Sequence, residues 1–212
     1  GFCEVRLGLH QRSRRKVAIK VIDKVRLSDL NDRKRVAREI KVLKKLHHVC
    51  IIRCFDVIDT PSKIYLVMEV ATAGSLLDYV RQKKKLDEAE ACKVLQQIVY
   101  GLIYCHAKGV VHRDVKLENL LLDAEKNIRI VDFGLSAITA PGKRLKVFCG
   151  SPSYAAPEIV ARQPYDGPPV DVWSLGVVLF ATVSGYLPFH AAGDRQALCR
   201  KIMKGHFTTP ES

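Results

Sequence analysis

The spacing of apolar residues changes character once along this 212-residue chain, near Gly74, and that change constrains the fold more than any single motif does. Ahead of it the apolar runs are short. Residues 5–9 and 17–22 alternate as strands on either side of the polar turn 11–16, and residues 52–58 and 64–70 read as an antiparallel pair around the turn 59–63. One helix lies between these pairs, over 32–46, where Val36, Ile40 and Leu43 form a stripe to set against a sheet, with Asn31 as its expected cap. Beyond Gly74 the period lengthens. Ala91, Leu95, Ile98, Leu102 and Cys105 share one face of a long helix predicted over 88–105. Strand-like pieces at 110–111, 120–122 and 128–131 carry charged residues at their ends, and residues 135–146 are loosely patterned. The expected architecture is one α+β domain in two lobes: strand-rich over 1–68, a hinge over 69–74, and mainly helical over 75–212.

An apolar content of 48% is enough for a real core and argues against disorder. The greasiest stretch, 172–189, is broken by Ser174, Gly176, Thr182, Ser184, Gly185 and Pro188, so it reads as a buried helix and not as a membrane span. Lys and Arg total 35 against 22 Asp and Glu, a net +13 that invites a nucleic-acid reading. The basic residues, however, cluster at 12–16, 24–45 and 81–85 with no zinc-finger, RNA-recognition or helix-turn-helix pattern around them. Solvated faces account for most of them, which argues against a nucleic-acid partner. Seven cysteines lack metal-ligand spacing and read as reduced thiols, predicting an intracellular protein, cytoplasmic or nuclear. The start at Gly1, inside what reads as a loop motif, is that of an internal fragment. No feature of the sequence sets an oligomeric state.

The strongest chemical signal is the run His112, Arg113, Asp114, Lys116 and Asn119, followed by Asp132, Phe133 and Gly134. Phosphoryl transfer from ATP needs an oriented acceptor, a divalent ion on the phosphates and cations against the charge of the transferred group. Asp114 can hold and deprotonate an acceptor hydroxyl, Asn119 and Asp132 can offer oxygens to Mg²⁺, and Lys116 can meet the transferring phosphate. Upstream, Val17-Ala18-Ile19-Lys20 is an apolar strand ending in a cation, a costly placement unless the ammonium is paired. Glu39, on the sheet-facing edge of the predicted helix, is the natural partner, and together they would hold the α and β phosphates.

These motifs, with Ala156-Pro157-Glu158 and Asp171-Val172-Trp173, resemble the protein kinase family over essentially the whole chain. Lys116, two residues past Asp114, resembles the serine/threonine class, and residues 149–158 resemble the calcium/calmodulin-dependent and AMP-activated-kinase-related group. The resemblance implies a bilobal kinase-like fold, a small antiparallel-sheet N-lobe on a mainly helical C-lobe, truncated at both ends. It also implies ATP and Mg²⁺ as cofactors and protein substrates with Ser or Thr acceptors. By the same resemblance Met68 closes the back of the adenine pocket, Glu69 and Ala71 offer backbone groups to the adenine edge, and Val5, Ala18 and Leu121 sandwich the ring. Leu43, Cys54, His112 and Phe133 would stack as an internal spine, with Asp171 anchoring the His112 backbone. Ser151 would contact Asp114 and Lys116 to read the acceptor, and Glu118 would favour a basic substrate, while Ser75 stands where a second carboxylate is common.

Four departures qualify the resemblance. Gly1-Phe2-Cys3-Glu4-Val5 supplies only the tail of a glycine-rich loop, with Cys3 where a third glycine is expected, which predicts weaker nucleotide binding. Val147 stands where relatives place a phosphorylatable Thr, so the segment is expected either to order by packing of Val147 and Phe148 or to stay disordered. Thr139, Ser151 and Ser153 are the alternative hydroxyls there. Val49 and Cys50 alter the turn after His48. The chain stops at Ser212, before the arginine that the resemblance pairs with Glu158, which predicts poor soluble expression of residues 1–212. The alternative to an active enzyme is a pseudokinase or regulatory binding module.

Overall fold

The computed structural model describes residues 3–27, 29–140 and 142–209. Gly1 and Phe2, the start of the glycine-rich-loop reading, lie outside the described residues. Strands β1 (Cys3–Leu9), β2 (Lys16–Asp23), β3 (Cys54–Asp59) and β4 (Lys63–Met68) form one antiparallel sheet in the order β1-β2-β4-β3. Its register sets Val5 against Lys20, and Ala18 against Met68, so residues far apart in sequence meet on one face. Helix α1 (Leu30–Lys45) packs beneath through Val36, Glu39, Val42 and Leu43. Its cap is Asp29, whose side chain accepts from the Asp32 N–H, and not the expected Asn31, which is already inside the first turn.

The last turn of α1 and the chain after it belong by hydrogen bonding to the second lobe. Lys45 Nζ donates to the Lys108 carbonyl at 2.6 Å, the His47 N–H to Tyr104 Oη at 3.0 Å, and the Ile52 N–H to the Ile130 carbonyl at 3.0 Å. Ile130 N–H returns a bond to the Cys50 carbonyl at 2.8 Å. The strand expected from residue 52 therefore starts only at Cys54, because Ile51 and Ile52 are spent on this other contact. Cys50 is buried there, and burial pushes its thiol up.

In the second lobe α2 (Leu76–Lys83) opens on a capping box between Ser75 and Asp78, and α3 (Glu88–Ala107) is capped by Asp87. The buried face of α3 is Ala91, Val94, Ile98, Gly101, Leu102 and Cys105, with the expected Leu95 half-buried at its edge. Fully burying side chains such as Ile98 and Leu102 contributes on the order of 2 kcal/mol each. Short pairs β5 (Val110–Val111) with β8 (Ala137–Ile138), and β6 (Leu120–Leu122) with β7 (Ile128–Ile130), hold the loops between them over α3. Helices α4 (Pro157–Val160), α5 (Gly167–Ser184) and α6 (Arg195–Lys204) complete the lobe.

Helix α5 starts earlier than the greasy stretch suggested, with prolines in its first turn, and stops at Gly185, which takes φ +83°. By length and composition alone it could cross a membrane. In this fold Val170, Asp171, Ser174, Val177, Val178 and Ala181 face the protein interior, while Val172 is exposed. The helix is apolar nearly all round, and it is its burial that is one-sided.

Candidate active site

The lobes enclose a cleft of about 440 Å³ lined by Val5, Ala18, Lys20, Glu39, Met68, Glu69, Ala71, Asn119, Leu121 and Asp132. Every residue read from the sequence as adenine-contacting or metal-holding, and the Lys20–Glu39 pair, is on this wall, whereas Lys116, read as meeting the transferring phosphate, is not. Val5 and Ala18 come from the paired strands β1 and β2, and Leu121 comes from β6 opposite, giving an apolar slot between sheet and base. The segment joining the lobes supplies its edge. The Glu69 N–H is already donated to the Arg53 carbonyl at 2.9 Å, so of its backbone groups only the carbonyl remains for a ligand. The Glu69 side chain turns away to Arg129 at 2.9 Å, and Arg129 also pairs with Asp123 at 3.0 Å.

Lys20 Nζ lies 2.6 Å from Glu39 Oε1, and both side chains are largely buried. Burial alone would lower the ammonium, but Glu39, helped by Asp132, outweighs it and holds Lys20 above its usual value. The cation therefore stays charged where it faces the cleft. Asp132 sits in the left-handed region at φ +64°, with its carboxylate accepting from the Gly134 N–H at 3.3 Å. That conformation costs roughly 1–2 kcal/mol and aims the carboxylate into the cleft.

Asp114 is the centre of a saturated cluster. Its Oδ1 accepts from both the N–H and the hydroxyl of Ser151 at 2.9 Å, and its Oδ2 lies 3.0 Å from Lys116 Nζ and 3.1 Å from Asn119 Nδ2. Lys116 also donates to Ser151 Oγ at 2.9 Å. Burial would raise the Asp114 carboxyl, but Lys116 and Ser151 outweigh it and hold the group below the ordinary carboxylate range. Asn119 donates through its NH₂, also to the Asp114 carbonyl at 2.9 Å, which leaves its amide oxygen free to face a cation. Gly150 lets the chain carrying Ser151 approach this loop: it takes φ +111°, and a Cβ there would meet the Arg113 carbonyl at 2.7 Å.

Among the described residues no three His, Cys, Asp or Glu side chains converge as a metal cage. The donor set is instead one amide and one carboxylate oxygen at the floor of an open cleft. That suits Mg²⁺, which keeps waters and shares its shell with substrate phosphates.

A family profile described as "Protein kinase domain" matches residues 1–211. This chain belongs to the protein kinase family. Over 211 residues the kinase is 49% identical to the probable serine/threonine-protein kinase MARK-A of Dictyostelium discoideum, covering 99% of this chain and 20% of that protein. Over 209 residues it is 47% identical to the SNF1-related protein kinase catalytic subunit alpha KIN12 of Arabidopsis thaliana, covering 99% of this chain and 42% of that protein. The kinase spans less than half the length of either relative. Both names are those of serine/threonine kinases in the AMP-activated-kinase-related group that the motifs resemble, a family that uses ATP and Mg²⁺.

The loop that carries Asp114 hangs from α5. Asp171, fully buried, accepts from the backbone N–H of His112 at 2.9 Å and of Arg113 at 2.8 Å, and lies 2.8 Å from His106 Nε2. His112 accepts the Asp114 N–H on Nδ1 and so carries its proton on Nε2, 2.9 Å from the Val131 carbonyl. Its ring stands edge-on to Phe133, centroids 4.9 Å apart, and Leu43 and Cys54 join the same core. Asp171→Ala leaves two buried N–H groups without an acceptor, so the kinase is expected to lose about 2–4 kcal/mol of stability, read as a fall in Tm. Ser75, read as a gap in substrate recognition, is occupied in capping α2 with Asp78. The Ser75-x-x-Asp78 spacing was the sequence signal for this. Arg129 stands beside the site with nothing in the local sequence pattern to mark it, while Tyr154, inside the 149–158 motif, and Tyr165, in keeping with the same group, carry no sequence signal of the contacts they make here.

Proposed function

We propose that the kinase transfers the γ-phosphoryl group of ATP to Ser and Thr hydroxyls of protein substrates. The observation that carries this reading is the convergence of Lys20–Glu39, Asn119 and Asp132 on one cleft, with Asp114, Lys116 and Ser151 at its mouth. The apolar slot of Val5, Ala18, Met68 and Leu121 takes the adenine ring, and the Glu69 carbonyl and Ala71 backbone read its edge. Lys20, kept charged and in place by Glu39, holds the α and β phosphates. Asn119 and Asp132 hold Mg²⁺, which when bound neutralises phosphate charge and keeps the phosphates in line.

Asp114 acts more by orientation than by strong basicity, since its carboxyl is held low. An incoming hydroxyl takes one of the bonds that Ser151 now makes to Oδ1, and its proton passes to Asp114 as its oxygen bonds the γ-phosphorus and the bond from that phosphorus to the β–γ bridging oxygen breaks, with ADP leaving. Lys116, already bridging Asp114 Oδ2 and Ser151 Oγ, is placed to meet the charge of the transferring group. Glu118 is exposed on the rim of an adjoining groove of about 400 Å³, with Tyr154 Oη at 3.5 Å, and is suited to a basic residue of the substrate.

The test is radiolabelled transfer from ATP to a panel of basic Ser and Thr peptides by the full-length protein. Nucleotide binding with no transfer by the intact protein would overturn the enzymatic reading in favour of a regulatory binding module. Glu118→Gln is expected to lower kcat/KM for a basic peptide by roughly 3- to 10-fold and to leave a neutral peptide unaffected, as loss of one exposed complementary charge would. Equal losses on both peptides would remove Glu118 from recognition.

A further inference from the structure

Residues 142–150 cross the mouth of the site, and what holds them there is neither an anion nor the packing of Val147. The Val147 side chain is 62% exposed. Arg113, buried and in the left-handed region at φ +66°, sends its guanidinium across the segment in four hydrogen bonds, all to neutral oxygens. Nε donates to the Leu135 carbonyl at 2.7 Å, Nη2 to the Ser136 carbonyl at 3.3 Å, and Nη1 to both the Val147 carbonyl and Tyr165 Oη at 3.2 Å. Tyr165 closes the ring. Its hydroxyl donates to the Val147 carbonyl at 2.8 Å, and its backbone exchanges both bonds with Leu145, at 2.8 and 3.0 Å. Phe148 tilts onto its ring, centroids 6.2 Å apart, and the ring is buried with Val111, Ala156 and Val170 at the head of α5.

Two of the three hydroxyls near the segment are engaged: Ser151 is on Asp114, and Thr139 Oγ1 donates within its own turn to the Ala140 and Lys143 carbonyls, while Ser153 lies beyond residues 142–150. Burial pushes the Tyr165 hydroxyl up against the lowering effect of Arg113, so at neutral pH it is a proton donor as well as an acceptor. Three of its four bonds are charge-assisted bonds to backbone carbonyls, one of them at Val147 in the segment itself, so the guanidinium's donors are met and the segment is held without an anion.

We propose that Tyr165 is a positioning residue for transfer, holding Arg113 and residues 145–147 so that Ser151 meets Asp114 with no phosphate on the segment. The kinase is then active as synthesised, and its control lies elsewhere than in phosphorylation of this segment. This rests on the phosphotransfer reading above, so one arm of the test is independent of activity. Hydrogen exchange at the Leu145 and Tyr165 amides, the two N–H groups bonded across this contact, is expected to be slow in the phosphatase-treated full-length protein and at least about tenfold faster in Tyr165→Phe. Transfer should survive phosphatase treatment unchanged. Tyr165→Phe should lower kcat for a peptide about tenfold and leave KM for ATP unmoved. Val147→Glu added to Tyr165→Phe offers Arg113 a carboxylate in place of the lost hydroxyl and should restore most of the rate.

Fast exchange in the phosphatase-treated wild type, loss of transfer on that treatment, or wild-type transfer by Tyr165→Phe would each overturn the proposal. Failure of Val147→Glu to restore the rate would overturn the route through Arg113. A wild type that never transfers phosphate refutes the enzymatic reading instead, and the exchange arm still decides the role of Tyr165.

Discussion

Asp114→Asn is expected to lower phosphoryl transfer by about 10²- to 10⁴-fold while nucleotide affinity stays as in the wild type. The reason lies in the four donors that meet its two oxygens: the N–H and hydroxyl of Ser151 on one, Lys116 and Asn119 on the other. An asparagine offers one acceptor oxygen and turns an NH₂ toward either Ser151 or the Lys116–Asn119 pair, donor against donor. The acceptor hydroxyl then loses its seat and Lys116 its anchor, but no atom of the adenine slot moves. Steady-state transfer paired with nucleotide titration reads the two effects separately. Because the carboxyl is held low by Lys116 and Ser151, Asp114 stays ionised through mild acid, so no carboxylate-dependent fall in kcat/KM is expected between about pH 5 and 7. A clear acid limb in that window would mean that another group governs the step.

Lys20→Met is the second large effect, a loss of about 10²- to 10³-fold in kcat/KM, with the loss shared between rate and ATP binding. The change takes a cation off the phosphates and leaves Glu39, 6% exposed, as a buried charge with no counter-ion. Stranding one member of such a pair costs about 3–5 kcal/mol, so α1 is expected to loosen from β2 and Tm to fall. Adding Glu39→Leu should recover much of the Tm and none of the transfer. Recovery of both would show that the pair serves only to hold α1 against the sheet.

The sequence made the chemistry easier to read than the architecture. Lys20, Asp114, Asn119 and Asp132 could be chosen because an ammonium ending an apolar strand, or three polar groups at short spacing, have few bland explanations. Placing them together needed the β1–β2–β4 register and the α1 docking; local periodicity gave the strands and the docking face of α1, but the β2–β4 pairing is a long-range contact it does not carry. Periodicity failed where long-range bonds override it. Ile51 and Ile52 look like the start of β3 but are taken by Ile130, and Asn31 looks like a cap but is preceded by Asp29. Helix α6, with a mixed Arg195–Lys204 surface and only Leu198 and Ile202 buried, carries too weak a stripe to stand out. The contacts of Tyr165, a residue in keeping with the resembled group, were beyond reach for a different reason: its partners, Arg113 and Val147, lie 52 and 18 residues away, and no local pattern connects them.

The bonds after α1 have a mechanical consequence. Residues 45–52 are fastened to α3 and β7, while residues 69–74 are fastened to β6 and β7 through the Glu69–Arg129 pair and the two backbone bonds that link Ala73 and Gly74 to Leu122. The sheet is therefore tethered to the base at two places, one behind α1 and one at the cleft's edge. Rocking about the line between these two tethers breaks none of their bonds, so it is the least costly way to open the cleft for nucleotide, and the distance between Lys20 and Asp132 is its natural gauge.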